Sequence, residues 1–132
     1  MIGLDTGVLL RLFDRSDPAL TKRAEGIVSV APPEGGCFVH PLVLADFAAR
    51  LEGDFKLPRP AVADYVERIL RAPELTVGDA EEVQEALDCF RTTGAKFSDC
   101  LLAASNQSEG CEVTVTFDRR TAKCAGFTLL KG

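Results

Sequence analysis

Four aspartates of this sequence could act together on a metal ion. Most acidic residues fall on the polar faces of predicted helices, whereas four do not: Asp5, Asp46, Asp99 and Asp118. Carboxylates gathered in one crevice raise one another's pKa values, so such a cluster is tolerated mainly when a divalent cation compensates it. Oxygen ligands without histidine or thiolate favour Mg²⁺ or Mn²⁺ over zinc. A water bound to such an ion can hydrolyse a phosphodiester, so the inferred chemistry is metal-dependent phosphoryl transfer to water.

Two of the four acids stand at the ends of predicted strands. Asp5 follows the apolar run "MIGL", and Asp118 follows "CEVTVTF" on the same side as Thr114 and Thr116. The carboxyl ends of strands in an open parallel sheet form the crevice where ligands bind. Each acid also has a structural alternative, since Asp5 could cap the helix that follows it and Asp118 could form a turn.

The other two acids lie on predicted helices. Asp46 lies within or beside the apolar stripe of "PLVLADFAARL", where an unpaired charge is costly, although a pair with Arg50 at i, i+4 is the structural alternative. Asp99 lies in the first turn of "SDCLLAAS", where the helix dipole favours an anion and would by itself explain the residue. Each acid alone has an ordinary explanation, and only the set points to a metal site.

The tripeptide Asp5-Thr6-Gly7 is also the catalytic tripeptide of aspartic proteases. Those enzymes need two carboxylates that share a proton, and therefore a second Asp-Thr-Gly or a dimer that provides one. The chain has only one such tripeptide, and it runs directly into a helical pattern. The pattern argues against a protease, which would consist almost wholly of strands.

Short apolar runs that alternate with helical patterns surround these acids. The predicted strands are "MIGL", "EGGCFVH", "ELTV", "CEVTVTF" and "GFTLL". The predicted helices lie in "DTGVLLRLFD", "SDPALTKRAEGIVSVAPP", "PLVLADFAARLEG", "LPRPAVADYVERILRAP", "GDAEEVQEALDCFRTTG" and "FSDCLLAASNQSEG", with Asp17, Asp79 and Ser98 as N-caps. This order predicts one α/β domain over residues 1–132, with a mostly parallel central sheet of four to five strands and helices on both faces.

Composition narrows the class of protein. A chain of 132 residues suits one domain, and a net charge of -5 gives no general attraction to nucleic acid or to anionic membranes. No apolar run approaches the roughly 20 residues of a membrane span, so we expect a cytoplasmic protein without membrane association. The five cysteines form no C-x-x-C pair and are expected to be buried reduced thiols: Cys37, Cys89, Cys100, Cys111 and Cys124.

Four stretches that contain the acids resemble a known family. "MIGLDTGVLLRLF", "PLVLADFAARL", "GAKFSDCLLAA" and "VTVTFDRR" are similar, in order and spacing, to motifs of PIN-domain ribonucleases of the VapC-type toxin family. The resemblance runs almost from end to end of the chain. It implies a PIN-like fold and Mg²⁺-dependent (or Mn²⁺-dependent) cleavage of RNA, held in check by an antitoxin. Family members commonly form homodimers and receive the antitoxin in an apolar groove near the first helices.

The resemblance also assigns roles to the four acids and two threonines, while position in the sequence alone suggests the RNA contacts. Thr6 and Thr116 become neighbouring hydroxyls that orient a ligand or a water. Lys96, Arg119 and Arg120 flank the site in sequence and are candidate RNA phosphate contacts, with a solvated surface as the alternative. The sole histidine, His40, is given no catalytic role. The metal-binding and catalytic acids implied by the resemblance are Asp5, Asp46, Asp99 and Asp118.

Two positions depart from the family pattern. Gly7 replaces the usual Asn and places a poor helix former in the first turn. Asp46 replaces the usual Glu and is one methylene shorter, so it would reach a metal only through a water. The alternative function is therefore a catalytically weakened PIN-fold module that binds RNA or a protein partner without cutting.

Overall fold

The computed structural model describes residues 1–131, which form six α-helices and five short strands; Gly132, the last residue of the expected domain, lies outside this range. The strands are β1 Ile2–Leu4, β2 Cys37–Val39, β3 Leu75–Val77, β4 Thr114–Thr116 and β5 Phe127–Leu129. The helices are α1 Thr6–Phe13, α2 Pro18–Val30, α3 Pro41–Gly53, α4 Arg59–Arg71, α5 Ala80–Thr92 and α6 Phe97–Ser108, with a 3₁₀ helix at Thr121–Lys123. The predicted α/β class and the predicted order of elements are confirmed.

The five strands are all paired in parallel, but they lie in two sheets. β1, β2 and β3 form one sheet with β2 in the centre, in which Leu4 lies opposite Val39 and Val39 opposite Val77. β4 and β5 form a separate two-stranded sheet. The sequence predicted one sheet of four to five strands. An apolar run shows that a segment is a strand, but it does not specify which strand supplies its hydrogen-bond partners.

The apolar side of β4 faces solvent. Val113, Val115 and Phe117 are 52%, 56% and 75% exposed, whereas Thr114 and Thr116 are partly buried. The predicted alternation of side chains is therefore present, with the threonines on the protein side. It follows that this sheet contributes little to the hydrophobic core.

The core is built mainly between helices. The largest fully buried side chains include Phe47 of α3, Phe90 of α5 and Ile69 of α4. Phe90 meets Phe97, the first residue of α6, edge to face with ring centroids 6.0 Å apart. This contact anchors the start of α6, two residues before Asp99.

One side chain of α4 fastens the connection between α5 and α6. The Arg59 guanidinium donates to the carbonyls of Phe90, Thr93 and Ala95 at 2.8, 3.0 and 2.8 Å. It also lies 3.8 Å from the centre of the Phe90 ring and pairs with Glu52 at 3.5 Å. Arg59 therefore satisfies carbonyls that the end of α5 leaves free. It holds the segment from which α6 begins, a role that the sequence did not indicate.

The helix starts follow the sequence with two exceptions. The Asp17 carboxylate accepts from the Leu20 N–H at 3.1 Å, as predicted. Asp79 occupies the predicted N-cap position of α5 but makes no capping hydrogen bond. The prediction of Ser98 as the N-cap of α6 is wrong, because α6 begins two residues earlier, at the buried Phe97 with Lys96 as N-cap. Within residues 1–131, no helix is both long and apolar enough to cross a bilayer.

Candidate active site

Two of the four aspartates meet at one hydroxyl group. The Thr121 hydroxyl lies 3.3 Å from Oδ2 of Asp99 and 3.1 Å from Oδ2 of Asp118. A hydroxyl carries one proton and shares it between the two carboxylates. Thr121 is 7% exposed, so its position is set by packing rather than by solvent. Thr121, the first residue of the 3₁₀ helix after β4, thereby links the carboxylate of Asp118 to that of Asp99 in the first turn of α6.

Asp118 is held in its charged form. Its Oδ1 accepts from the Arg120 backbone N–H at 2.9 Å, and its own N–H donates to the Thr116 hydroxyl at 3.1 Å. The hydrogen bonds from the Arg120 N–H and the Thr121 hydroxyl hold the pKa of Asp118 below its usual value. The turn after β4 therefore presents an exposed, ionised carboxylate with one well-defined orientation.

Asp5 lies at the predicted junction of strand and helix and caps α1. Its Oδ1 accepts from the Val8 N–H at 2.9 Å, which is the structural alternative named from the sequence. The residue is exposed, so part of its carboxylate remains available to a ligand. Asp5 also lines a groove of about 510 Å³, the α1–α2 groove, formed by Asp5, Gly7, Val8, Arg11, Leu20, Arg23, Ala24 and Ile27.

Asp46 forms the ion pair that the sequence offered as its structural alternative. Its Oδ2 lies 3.4 Å from Nε of Arg50, one turn later on α3, and both side chains are about half exposed. Among residues 1–131, neither Asp46 nor Asp5 shares a hydrogen bond with the pair formed by Asp99 and Asp118. The structure therefore brings two of the four acids into direct association.

The remaining residues named from the sequence differ in burial and in contact with this pair. Thr6 is buried in the first turn of α1, and the Thr116 hydroxyl supports Asp118. Lys96, Arg119 and Arg120 are exposed, and none of them forms an ion pair within the described chain. Their ammonium and guanidinium groups are thus available to phosphates.

A pocket adjoins the start of α6. It has a volume of about 310 Å³ and is lined by residues of α3, among them Glu52, and by Lys96, Phe97 and Ser98 at the start of α6. Glu52 follows Asp46 by six residues and therefore lies on a different face of α3. Its place beside the start of α6 depends on how α3 packs against α6, which no local pattern reveals.

The oxygen-rich pair fits a hard divalent cation. Asp99, Asp118 and Thr121 offer oxygen atoms and no nitrogen or sulfur, which is the donor set that Mg²⁺ and Mn²⁺ prefer. Within residues 1–131, no three carboxylates have oxygens all within 4.8 Å of one another. An ion here would therefore contact one or two carboxylates and retain waters, which is the usual arrangement for Mg²⁺.

Sequence reasoning missed Thr121, although a signal for it exists. Thr121 follows Asp118 at i, i+3 in "FDRRTAK", a spacing at which a turn brings two polar side chains together. Its hydroxyl also reaches Asp99, which lies 22 residues earlier. That second contact depends on the tertiary fold, and no local sequence pattern predicts it.

Three cysteines also converge, although their spacing did not suggest it. The sulfurs of Cys89 and Cys124 are 2.8 Å apart, and those of Cys100 and Cys124 are 3.9 Å apart. Burial raises the pKa of Cys124 to about 11 and raises that of Cys100 as well. Cys37 is buried as expected, whereas Cys111 is exposed and differs from the expectation of a buried thiol.

The sequence as a whole matches one known family. The model of the family described as "PIN domain" matches residues 2–126. No curated protein matches the chain. The matched range contains Asp5, Asp46, Asp99 and Asp118, together with Thr121.

Proposed function

The chain belongs to the PIN domain family, and on this premise we propose that it is a Mg²⁺- or Mn²⁺-dependent endoribonuclease that acts as the toxin of a type II toxin–antitoxin pair. PIN domains are generally nucleases, and they are often metal-dependent. The observation that carries the proposal is the association of Asp99 with Asp118 through the Thr121 hydroxyl. The VapC-type toxin role rests on the sequence motifs.

The proposed roles extend the sequence motifs to the association of Asp99 with Asp118. Asp99 and Asp118 would hold the ion directly, and Asp5 and Asp46 would reach it through waters. When bound, the ion supplies an activated water and offsets the charge that develops on the phosphodiester. Thr121 and Thr116 orient the Asp118 carboxylate. Lys96, Arg119 and Arg120 would bind neighbouring phosphates of the RNA.

A cleavage assay tests the proposal. Purified protein freed from any partner should cut a panel of structured RNAs in the presence of Mg²⁺ and stop when EDTA is added. Asp99→Asn and Asp5→Asn should lower the rate by at least about 100-fold, the scale on which lost support of a metal site reduces activity. Asp88→Asn is the matched control, because Asp88 is exposed on α5 and, within residues 1–131, its carboxylate accepts a hydrogen bond only from Gln84. Cleavage that survives EDTA would contradict the proposal.

The second candidate is a PIN-fold module that binds RNA or a protein partner without cutting. The ion pair between Asp46 and Arg50 favours it, because it leaves Asp46 engaged on its own helix. This module would bind the same RNAs with equal affinity in Mg²⁺ and in EDTA, and it would release no fragments. Arg50→Ala also distinguishes the two candidates, because it removes the ion pair and frees Asp46. The rate of RNA cleavage should rise if the chain is an enzyme, and no cleavage should appear if it is a binding module.

The α1–α2 groove supports an antitoxin partner. Leu20 and Ile27 leave apolar surface there, and Arg11 and Arg23 add positive charge. We propose that it receives a segment with apolar and acidic side chains from the antitoxin, and that the toxin is a cytoplasmic homodimer of single-domain chains.

Expression of the chain alone should arrest growth, and Asp99→Asn should not. Co-expression of a small DNA-binding protein from an adjacent gene should restore growth, and its failure to bind the chain would contradict the toxin role.

A further inference from the structure

Three thiols from distant parts of the chain meet behind the acidic pair. Cys89 lies on α5, Cys100 on α6 and Cys124 just after the 3₁₀ helix. Their sulfurs all lie within 4.8 Å of one another. Cys89 and Cys124 are 35 residues apart in sequence, so the packing of three elements, rather than a local motif, creates the cluster.

Two cysteines of the cluster are buried, and the third is partly exposed to solvent. Cys100 and Cys124 are 1% and 2% exposed, whereas Cys89 is only partly buried. Within the described chain, no histidine, carboxylate or further cysteine completes the group. The Thr93 hydroxyl lies 3.9 Å from the Cys89 sulfur. A fourth ligand would therefore arrive from the Cys89 side.

We propose that Cys89, Cys100 and Cys124 bind one Zn²⁺ ion as three thiolates, with a water in the fourth position. Sulfur ligands favour zinc over the Mg²⁺ or Mn²⁺ that suits the acidic pair. Three thiolates around a divalent ion leave a net charge of about -1, whereas a monovalent ion such as Cu⁺ would leave about -2 in a mostly buried site, at a greater desolvation cost.

The distances between the sulfurs are close to those of such a site. Zn–S bonds of about 2.3 Å in tetrahedral geometry place two sulfurs about 3.8 Å apart. Cys100 and Cys124 are already separated by 3.9 Å, whereas the 2.8 Å between Cys89 and Cys124 would have to widen by about 1 Å. Because Cys89 is the partly exposed member, its side chain has room to move.

The ion would tie together the elements that carry the acidic pair. Cys100 directly follows Asp99, and Cys124 lies three residues after Thr121. Zinc would thus link α5, α6 and the 3₁₀ helix beneath the carboxylates without taking part in RNA cleavage. The proposal stands whether or not the chain is a nuclease.

Zinc binding to the full reduced chain tests the proposal. Protein that has been stripped of metal with a chelator and then incubated with Zn²⁺ should retain one Zn²⁺ per chain after gel filtration. Excess Mg²⁺ should not displace this zinc. Zinc should protect the partly exposed Cys89 from a thiol reagent and leave the exposed Cys111 reactive, since Cys37, Cys100 and Cys124 are already buried. Co²⁺ in place of zinc should give thiolate-to-cobalt charge-transfer absorption. Cys89→Ser should weaken binding by at least about 100-fold, because removal of a ligand costs more than removal of its support.

Cys111→Ser is the matched control, since Cys111 is exposed and lies outside the cluster, and it should bind zinc as the unmodified chain does. Circular dichroism shows whether each variant is folded. If Cys89→Ser fails to fold, the cobalt spectrum and the thiol count of the unmodified chain decide the question. Failure of the reduced chain to retain zinc would overturn the proposal, as would retention of zinc that protects no thiol. A Cys89–Cys124 disulfide that persists in the purified protein in place of zinc would overturn it too.

Discussion

At the scale of single residues, the Thr121 hydroxyl connects the neighbouring carboxylates of Asp99 and Asp118. Two adjacent carboxylates raise each other's pKa values unless hydrogen bonds favour the charged forms. The pKa of Asp118 lies below its usual value, because hydrogen bonds from the Arg120 N–H and the Thr121 hydroxyl outweigh the effect of desolvation at this residue. A lowered pKa stabilises the folded state at pH values above the ordinary aspartate range. This contribution is lost as the pH falls through the lowered pKa of Asp118.

Thr121→Val tests this balance. We expect the pKa of Asp118 to rise towards the ordinary value of about 3.9, since one of its two main hydrogen bonds is lost. RNA cleavage should fall by about 10- to 100-fold because the carboxylate is less firmly oriented. NMR titration of the carboxyl carbons measures the first effect, and single-turnover cleavage measures the second.

Two further variants make this result specific. Thr121→Ser keeps the hydroxyl and should restore both readouts. Thr128→Val alters an exposed threonine of β5 and should change neither. An unchanged pKa of Asp118 in Thr121→Val would show that the hydroxyl does not stabilise its charged form.

At the scale of secondary-structure elements, Arg59 shows how a helix end is fixed from outside. The last carbonyls of α5 have no partner within the helix, and a planar guanidinium can bind several of them at once. The Arg59 side chain also covers the Phe90 ring, so it contributes packing as well as hydrogen bonds. The position of α6, and with it Asp99, therefore depends on a residue of α4.

Arg59→Ala should lower the free energy of unfolding by about 2–4 kcal/mol, because it leaves carbonyls without a charged donor. Arg59→Lys should lose a large part of the same energy, since an ammonium cannot stack over the Phe90 ring as the planar guanidinium does. Urea unfolding followed by circular dichroism measures both. Arg71→Ala removes only an exposed pair with Glu67 and should cost less than about 1 kcal/mol. Equal costs for Arg59→Ala and Arg71→Ala would contradict the proposed role of Arg59.

At the scale of the whole molecule, stability resides between the helices rather than on the smaller sheet. Phe47 is fully buried and meets Phe13 edge to face at 5.7 Å. Phe117, at the end of β4, is 75% exposed. The same residue type therefore has opposite environments at the two positions, which allows a direct comparison.

Phe47→Ala should lower the free energy of unfolding by about 3–5 kcal/mol, through lost burial and the cavity left behind. Phe117→Ala should change it by no more than about 0.5 kcal/mol. Urea unfolding of both variants at several protein concentrations measures the difference. If Phe117→Ala lowered the free energy of unfolding strongly at every protein concentration, other residues of the same chain would have to cover the apolar side of β4.

Much of the fold and part of the site could be predicted from local patterns. Periodic apolar residues located every strand and every α-helix but not the 3₁₀ helix, and the acids at strand ends located Asp5 and Asp118 near the carboxyl edge of their sheets. The N-cap of α6 was misplaced because burial of Phe97 outweighed the capping preference of Ser98. Local preferences are worth about 1 kcal/mol each, and burial of an aromatic side chain exceeds that.

The sequence alone determined the α/β alternation, the resemblance to PIN domains and the set of acids on which the proposed Mg²⁺ or Mn²⁺ site depends. These properties depend on residue type and on short-range spacing, which the chain carries without folding. Only the tertiary structure decided that Asp99 and Asp118 share the Thr121 hydroxyl, that Asp46 pairs with Arg50, and that three cysteines converge. Contacts between residues far apart in sequence depend on how helices pack, and packing is set by the whole core at once.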